Sequence, residues 1–165
     1  MELIIYITIF VIITVFFTSF VMDQIKVQSK NRIHKEVLDN SHRIMETMLW
    51  EIQYASNVYT PTSAFDNDLG QLSLETQQSK PTDESTTYID FYLDNNQRLC
   101  VKRERENGQI LTSENIKITN LVFDHLTTPY TKGVQIQLTA VYDNPQQKTA
   151  YRATTTLTSS AFMRN

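Results

Sequence analysis

Residues 3 to 22, LIIYITIFVIITVFFTSFVM, form an unbroken run with no charge, no proline and no glycine. At ~1.5 Å per residue a helix of this length spans roughly 30 Å, the thickness of a bilayer's hydrocarbon core. A cleaved secretory signal would need a basic stretch ahead of the run, a shorter apolar core and small residues at the cut. Phe16, Phe17, Phe20, Val21 and Met22 close the run instead, so a retained anchor is expected. All 15 Lys and Arg residues lie beyond residue 25. Lys26, Lys30, Arg32 and Lys35 follow the run, and the positive-inside tendency alone would place the following body in the cytoplasm. Glu2 stands at the other end. A carboxylate there is either a solvated headgroup-level residue that suits the positive end of the helix dipole, or a group awaiting a cation.

The helical pattern continues past the membrane. Between Asp23 and Val58 there is again no proline or glycine, and Ile33, Val37, Ser41, Ile44, Met48, Ile52 and Ala55 recur at spacings of three and four. Leu38, Met45 and Leu49 flank this stripe, while Lys35, Glu36, Asp39, Arg43, Glu46 and Gln53 fall on the other face. Residues 3–22 are therefore expected as a membrane helix and 23–58 as its amphipathic continuation, stopped by Tyr59-Thr60-Pro61. Residues 59–87 are rich in Thr, Ser, Gln and Asp and read as loop, with a possible short strand at Leu69, Leu72 and Leu74.

From residue 88 to residue 165 the period changes to two. Tyr88 to Leu93 and Arg98 to Lys102 flank Asp94-Asn95-Asn96 as a hairpin, and Glu106-Asn107-Gly108 marks another turn. Ile116, Ile118, Leu121 and Phe123 make a further strand, Gly133 to Tyr142 the clearest one, and Thr149 to Leu157 the strand pairing back on it after Asp143-Asn144-Pro145. The expected fold is α+β: one long helix whose amphipathic half covers an antiparallel sheet of about five strands.

Chemistry is sparse. His34, His42 and His125 have no acidic or cysteine partners at ligand spacing, so no metal site is expected. Cys100 is single, which excludes an intramolecular disulfide, and in an alternating strand it reads as a small buried hydrophobe. Glycines at 70, 108 and 133 alone cannot build a phosphate loop, a dinucleotide fingerprint or a nucleophile elbow. Arg98, Lys102, Arg103 and Arg105 form a local basic cluster interleaved with Glu104 and Glu106, read as a solvated hairpin tip; a weak DNA contact is the alternative. With Glu2 set aside, 15 Lys and Arg face 17 Asp and Glu, a near-balance that does not suggest a polyanion binder. No enzyme motif and no cofactor site is visible.

The opening Glu2-Leu3-Ile4-Ile5-Tyr6-Ile7-Thr8-Ile9-Phe10 resembles the start of type IV pilins and type II secretion pseudopilins. Tyr92 to Asn95, Arg98-Leu99, Leu111-Thr112-Ser113, Ile116 to Phe123 and Gly133 to Val141 resemble the bodies of J-type minor pseudopilins and minor pilins. The resemblance implies a structural subunit of the cytoplasmic membrane, single-pass with an extracytoplasmic body, that enters a type IV pilus or type II secretion pseudopilus at its tip or as a primer of assembly. Its implied partners are other pilin or pseudopilin subunits, met through the N-terminal helix. Glu2 is implied to pair with a neighbouring subunit's N-terminal amine. The family's basic leader and cleavage-site glycine do not precede Glu2 in this sequence, so a prepilin peptidase is an expected partner only if a leader lies upstream. That leader would also supply the cytoplasmic positive charge that Lys26 to Lys35 otherwise contradict. The family's helix-kinking proline is absent, which implies a straighter helix, and so is the cysteine pair of many major pilins, which favours a minor component. The competing expectation is a single-pass anchored β-rich binding module unrelated to filaments.

Overall fold

The computed structural model describes residues 2–78, 80–128, 131–144 and 152–164. One helix, α1, runs from Glu2 to Tyr54 over 53 residues, about 80 Å at ~1.5 Å per residue. Among the described residues eight strands follow: β1 (Ala55–Val58), β2 (Leu72–Thr76), β3 (Thr87–Leu93), β4 (Leu99–Arg103), β5 (Gln109–Ile110), β6 (Ile116–Thr127), β7 (Lys132–Tyr142) and β8 (Thr154–Phe162). The fold is α+β, as expected.

The helix has two surroundings. Residues 2–28 are all exposed, whereas Ile33, Val37, Ser41, Ile44, Met48 and Ile52 are buried at the spacings of the apolar stripe, with Ala55 just beyond the helix end. Met45 joins them in the core, and Leu38 stays exposed. The packed half lies against β7 and β8 and touches β2. Two polar residues that an apolar stripe does not reveal, Asn40 and Glu51, are buried with it.

The helix ends at Tyr54, four residues short of the expected stop at 58. Ala55–Val58 instead pair with Leu74–Thr76 as an edge strand, with a bulge between Ala55 and Asn57. Proline at 61 sets the latest possible end, but strand pairing wins earlier because it satisfies the same backbone groups while burying Ala55 and Val58. Helix-terminal carbonyls need partners. The Arg164 N–H donates to Gln53 O at 3.0 Å, and the Thr76 hydroxyl reaches Tyr54 O at 3.5 Å.

The strands form two antiparallel sheets rather than the single sheet of about five strands expected. One has the order β1-β2-β3-β4-β5, the other β6-β7-β8. The first is a meander in which Leu72, Leu74, Ile89, Phe91, Leu99 and Val101 point inward. The extra strands β1 and β5 are too short to show a period in sequence, and β2 takes in Leu72 and Leu74 of the short strand expected at Leu69, Leu72 and Leu74, while Leu69 lies outside it and is exposed. Within β6 the inward residues Ile116, Ile118, Leu121 and Phe123 break strict alternation, and a bulge between Ile118 and Asn120 absorbs the extra residue. In β7, Val134, Ile136, Leu138 and Ala140 are all fully buried. The returning strand was expected over 149–157; it pairs over Thr154–Phe162, with Gly133 opposite Phe162. The expected residues 149–151 and the turn residue at 145 lie outside the described residues. The stretch Thr158-Ser159-Ser160 looks too polar for a strand, yet its side chains are small enough to alternate into a sheet.

The loop 59–71 straps the two sheets together. Gly70 N–H donates to Leu121 O and Leu121 N–H to Asp68 O, both at 2.8 Å. A Cβ on Gly70 would lie 2.8 Å from Leu121 O and 2.9 Å from the Phe123 ring, so only glycine fits this approach.

If the packed half of α1 is the structural half, Ile44→Ala, at a fully buried site, should cost about 2–5 kcal/mol. Phe16→Ala, on the exposed half, should change the stability of the body by less than about 0.5 kcal/mol. Denaturant unfolding of the detergent-solubilised chain, followed by Trp50 fluorescence, checks both.

Candidate functional site

Among the described residues α1 is the one helix long and apolar enough to cross a membrane, and none of its most apolar window is buried against the body. Its hydroxyls suit an apolar setting. Those of Thr8, Thr14, Thr18 and Ser19 each donate to the carbonyl four residues earlier, at 2.7–3.0 Å, which leaves their protons satisfied within the helix. Glu2 lies in the first turn, exposed. Its carboxylate adjoins N–H groups that the helix itself cannot satisfy, and no described cation pairs with it.

The other residues singled out in sequence are dispersed. His34 and His42 are exposed on α1, and His125 stacks on Phe65 with ring centroids 5.6 Å apart. No group of three His, Cys, Asp or Glu among the described residues is placed to hold a metal. Cys100 is buried; burial, then the Asp94 charge, pushes its thiol up against a smaller opposing effect of Arg98.

Three of the four residues in the basic cluster are held by carboxylates. Arg98 pairs with Asp94 at 2.7 Å, Arg103 with Glu51 at 2.6 Å, and Arg105 with Glu84. Asp94 organises the β3–β4 turn. Burial alone would raise its carboxyl, but the Arg98 N–H, the Arg98 guanidinium and the Asn96 N–H outweigh that and hold it below its ordinary value. The Glu51 side chain is only 6% exposed against 38% for Arg103, so the acid depends on this partner more than the base does. Arg103→Met leaves a buried carboxylate without its cation and should cost about 3 kcal/mol, and adding Glu51→Leu should recover most of it. Denaturant midpoints of the single and double variants measure the difference.

The outward face of the five-stranded sheet carries a cleft that sequence did not reveal. Tyr59, Thr62, Tyr88, Asp90, Lys102, Glu104 and Arg105 line a volume of about 330 Å³. The rings of Tyr59 and Tyr88 meet edge to face, with centroids 5.0 Å apart. Asp90 and Lys102 stand directly opposite in the β3–β4 ladder. Opposite charges so placed ordinarily attract, yet these two form no ion pair. Tyr88 and Asp90 share a face by alternation, a signal present in the sequence. Tyr59 arrives through the loop after β1, and only the fold brings it alongside.

A second polar cluster sits where the strap meets β6. The Asp66 N–H donates to Phe123 O at 3.2 Å, and Asp66 adopts a left-handed backbone with φ 55°. A side-chain hydrogen bond with Asp66, then burial, then the Asp66 charge raise the Asp124 carboxyl above its ordinary value. A raised acid binds its proton more tightly folded than unfolded, so its stabilisation is complete below the unfolded value and is lost as pH rises through the folded one. Asp124→Asn keeps a donor toward Asp66 at every pH. It should therefore be more stable than the parent at neutral pH, with the advantage vanishing in acid, as thermal melts across that range would show.

No protein-family model, no characterised protein and no solved structure matches the chain.

Proposed function

We propose that this chain is a non-catalytic structural subunit of the type IV pilin and type II secretion pseudopilin class, anchored in the cytoplasmic membrane by α1 with its β body outside. In this reading it is incorporated, at the tip or as a primer, into a filament built from packed N-terminal helices. One observation carries it: a continuous helix whose first half is apolar on every side and wholly exposed, and whose second half is anchored on a β body. Such a first half cannot remain in water. Lipid satisfies it in the membrane, and neighbouring helices of the same kind satisfy it in a filament, so a subunit passes from one to the other without wetting its apolar surface. Glu2 is then the residue that tells the two apart. Lipid leaves it at the headgroup level, while a helix bundle buries it and demands a cation, for which a neighbour's N-terminal amine is suited.

The test uses cysteines at Ile5, Ile12 and Phe16 in a Cys100→Ala background, expressed in native membranes. Oxidation should join α1 to the helices of other subunits. Glu2→Ala should leave insertion and folding intact while reducing the cross-linked fraction severalfold. Helices that remain uncross-linked at all three positions, or a Glu2→Ala chain that assembles like the parent, would refute the proposal. The second reading, an anchored binding module that works as a monomer, is favoured by the cleft of Tyr59, Tyr88, Asp90 and Lys102.

A further inference from the structure

We infer that the cleft on the outward face of the five-stranded sheet binds a neutral sugar, a pyranose unit at the end of or within a glycan. This goes beyond the filament role and holds whether or not α1 enters a filament.

The chemistry of the lining selects the ligand class. Arg105 is engaged by Glu84, and the Glu104 carboxylate accepts a hydrogen bond from the Thr87 hydroxyl at 3.2 Å. That leaves Asp90 and Lys102 as the charges in the cleft whose side chains make no described hydrogen bond or ion pair, together with the phenol groups of Tyr59 and Tyr88. A cationic ligand would gain from Asp90 and be opposed by Lys102, and an anionic ligand the reverse. A neutral polyhydroxylated ligand uses both: a hydroxyl donates to the carboxylate, and another accepts from the ammonium. These are charge-assisted hydrogen bonds, stronger than neutral ones. Asp90 and Lys102 face one another across the ladder without closing on each other, which leaves both available.

The aromatic pair supplies the remaining half of a sugar site. A pyranose has one face of C–H groups and a rim of hydroxyls, and it needs an apolar surface beside polar groups. Tyrosine offers both, an apolar ring and a polar tip. The edge-to-face arrangement of Tyr59 and Tyr88 fixes the two rings relative to one another. The volume of about 330 Å³ is at the small end of ligand pockets, which run from ~300 to 1,000 Å³, and suits one or two sugar rings.

The inward neighbours make the wall rigid. Ile89 and Phe91, on either side of Asp90, are buried in the core, and Ser73, which pairs with Asp90 across the β2–β3 ladder and so shares its outward face, is itself buried. The strand that carries Tyr88 and Asp90 is therefore held in place before a ligand arrives, and binding orders chiefly the exposed Lys102 side chain.

The test is saturation-transfer NMR and titration calorimetry on the full chain, one copy per nanodisc, with neutral oligosaccharides of glucose, of galactose and of N-acetylglucosamine as probes. Binding of at least one series is expected in the millimolar range or tighter. Asp90→Asn, Lys102→Gln and Tyr88→Ala should each weaken it about tenfold or more, the loss of one charge-assisted hydrogen bond or one ring face. Circular dichroism confirms the fold of each variant, and Lys102→Gln, at an exposed position, serves if Tyr88→Ala does not fold. No binding by any of the three series would overturn the inference, as would binding that Asp90→Asn and Lys102→Gln leave unchanged. Preference for a sialylated glycan or a choline headgroup over every neutral probe would also overturn it. Because each disc holds a single copy, failure here leaves the assembly reading untouched, and failure of assembly leaves this binding measurable.

Discussion

The contact on which the rest of the molecule depends is the stripe from Ile33 to Ala55 against the inner faces of the two sheets. Its fully buried apolar members, Val37, Ile44, Met48 and Ile52, each remove a large side chain from water, worth roughly 1.5–3 kcal/mol apiece. That contact closes the core over β2, β7 and β8. It also carries a mechanical consequence. The exposed half of α1 continues from the packed half with no proline or glycine between them, the usual causes of a sharp kink. The apolar half is therefore held in a defined direction by the β body.

Two polar features refine this contact. Glu51 reaches from the last turns of α1 to Arg103 on β4, and Arg43 donates to Leu111 O at 3.0 Å. Neither adds much apolar burial, but both are specific to one rotation of the helix. Sliding α1 by one residue would strand the Glu51 carboxylate in the core without its guanidinium, a cost of several kcal/mol. Apolar packing holds the helix on the sheets, and these two contacts select how it sits. The strap over residues 59–71 does the same for the sheets, joining β6 to the loop through Gly70 and Asp68.

Much of this arrangement was legible in the sequence because it rests on periodicity. Spacings of three and four named the apolar helix residues buried from Ile33 to Ile52, and a period of two marked out the strands from Tyr88 to Leu93 and from Gly133 to Tyr142. The helix end and the sheet count were not legible. Ala55 to Val58 has no local signal against helix; its strand exists only because Leu74 to Thr76 lies alongside. A two-residue strand such as β5 has no period to detect. The bulge in β6 was hidden in a spacing that looked like simple alternation with one irregular step. Glu51 and Asn40 carry no sequence signal of their burial, because charge and amide on a helix usually face water and these two are covered by distant strands. The cleft was half visible: Tyr88 and Asp90 share a face by alternation, but Tyr59 is 29 positions earlier in the chain and joins them only through the fold.

Strand alternation also makes the two surfaces of the body independent. Ile89 and Phe91 face the core, while Tyr88 and Asp90 face outward from the same strand. The cleft therefore lies on the side of the five-stranded sheet opposite its core-facing side chains. In the proposed role, packing α1 against lipid or against other helices would use the exposed residues 2–28, all remote in sequence from the cleft lining. A substitution in the cleft should not disturb the helix, and one in the apolar half should not disturb the cleft. A body built this way separates holding a position from making a contact. In the proposed reading the helix sets where the chain sits, and the outward sheet face is left for a separate contact.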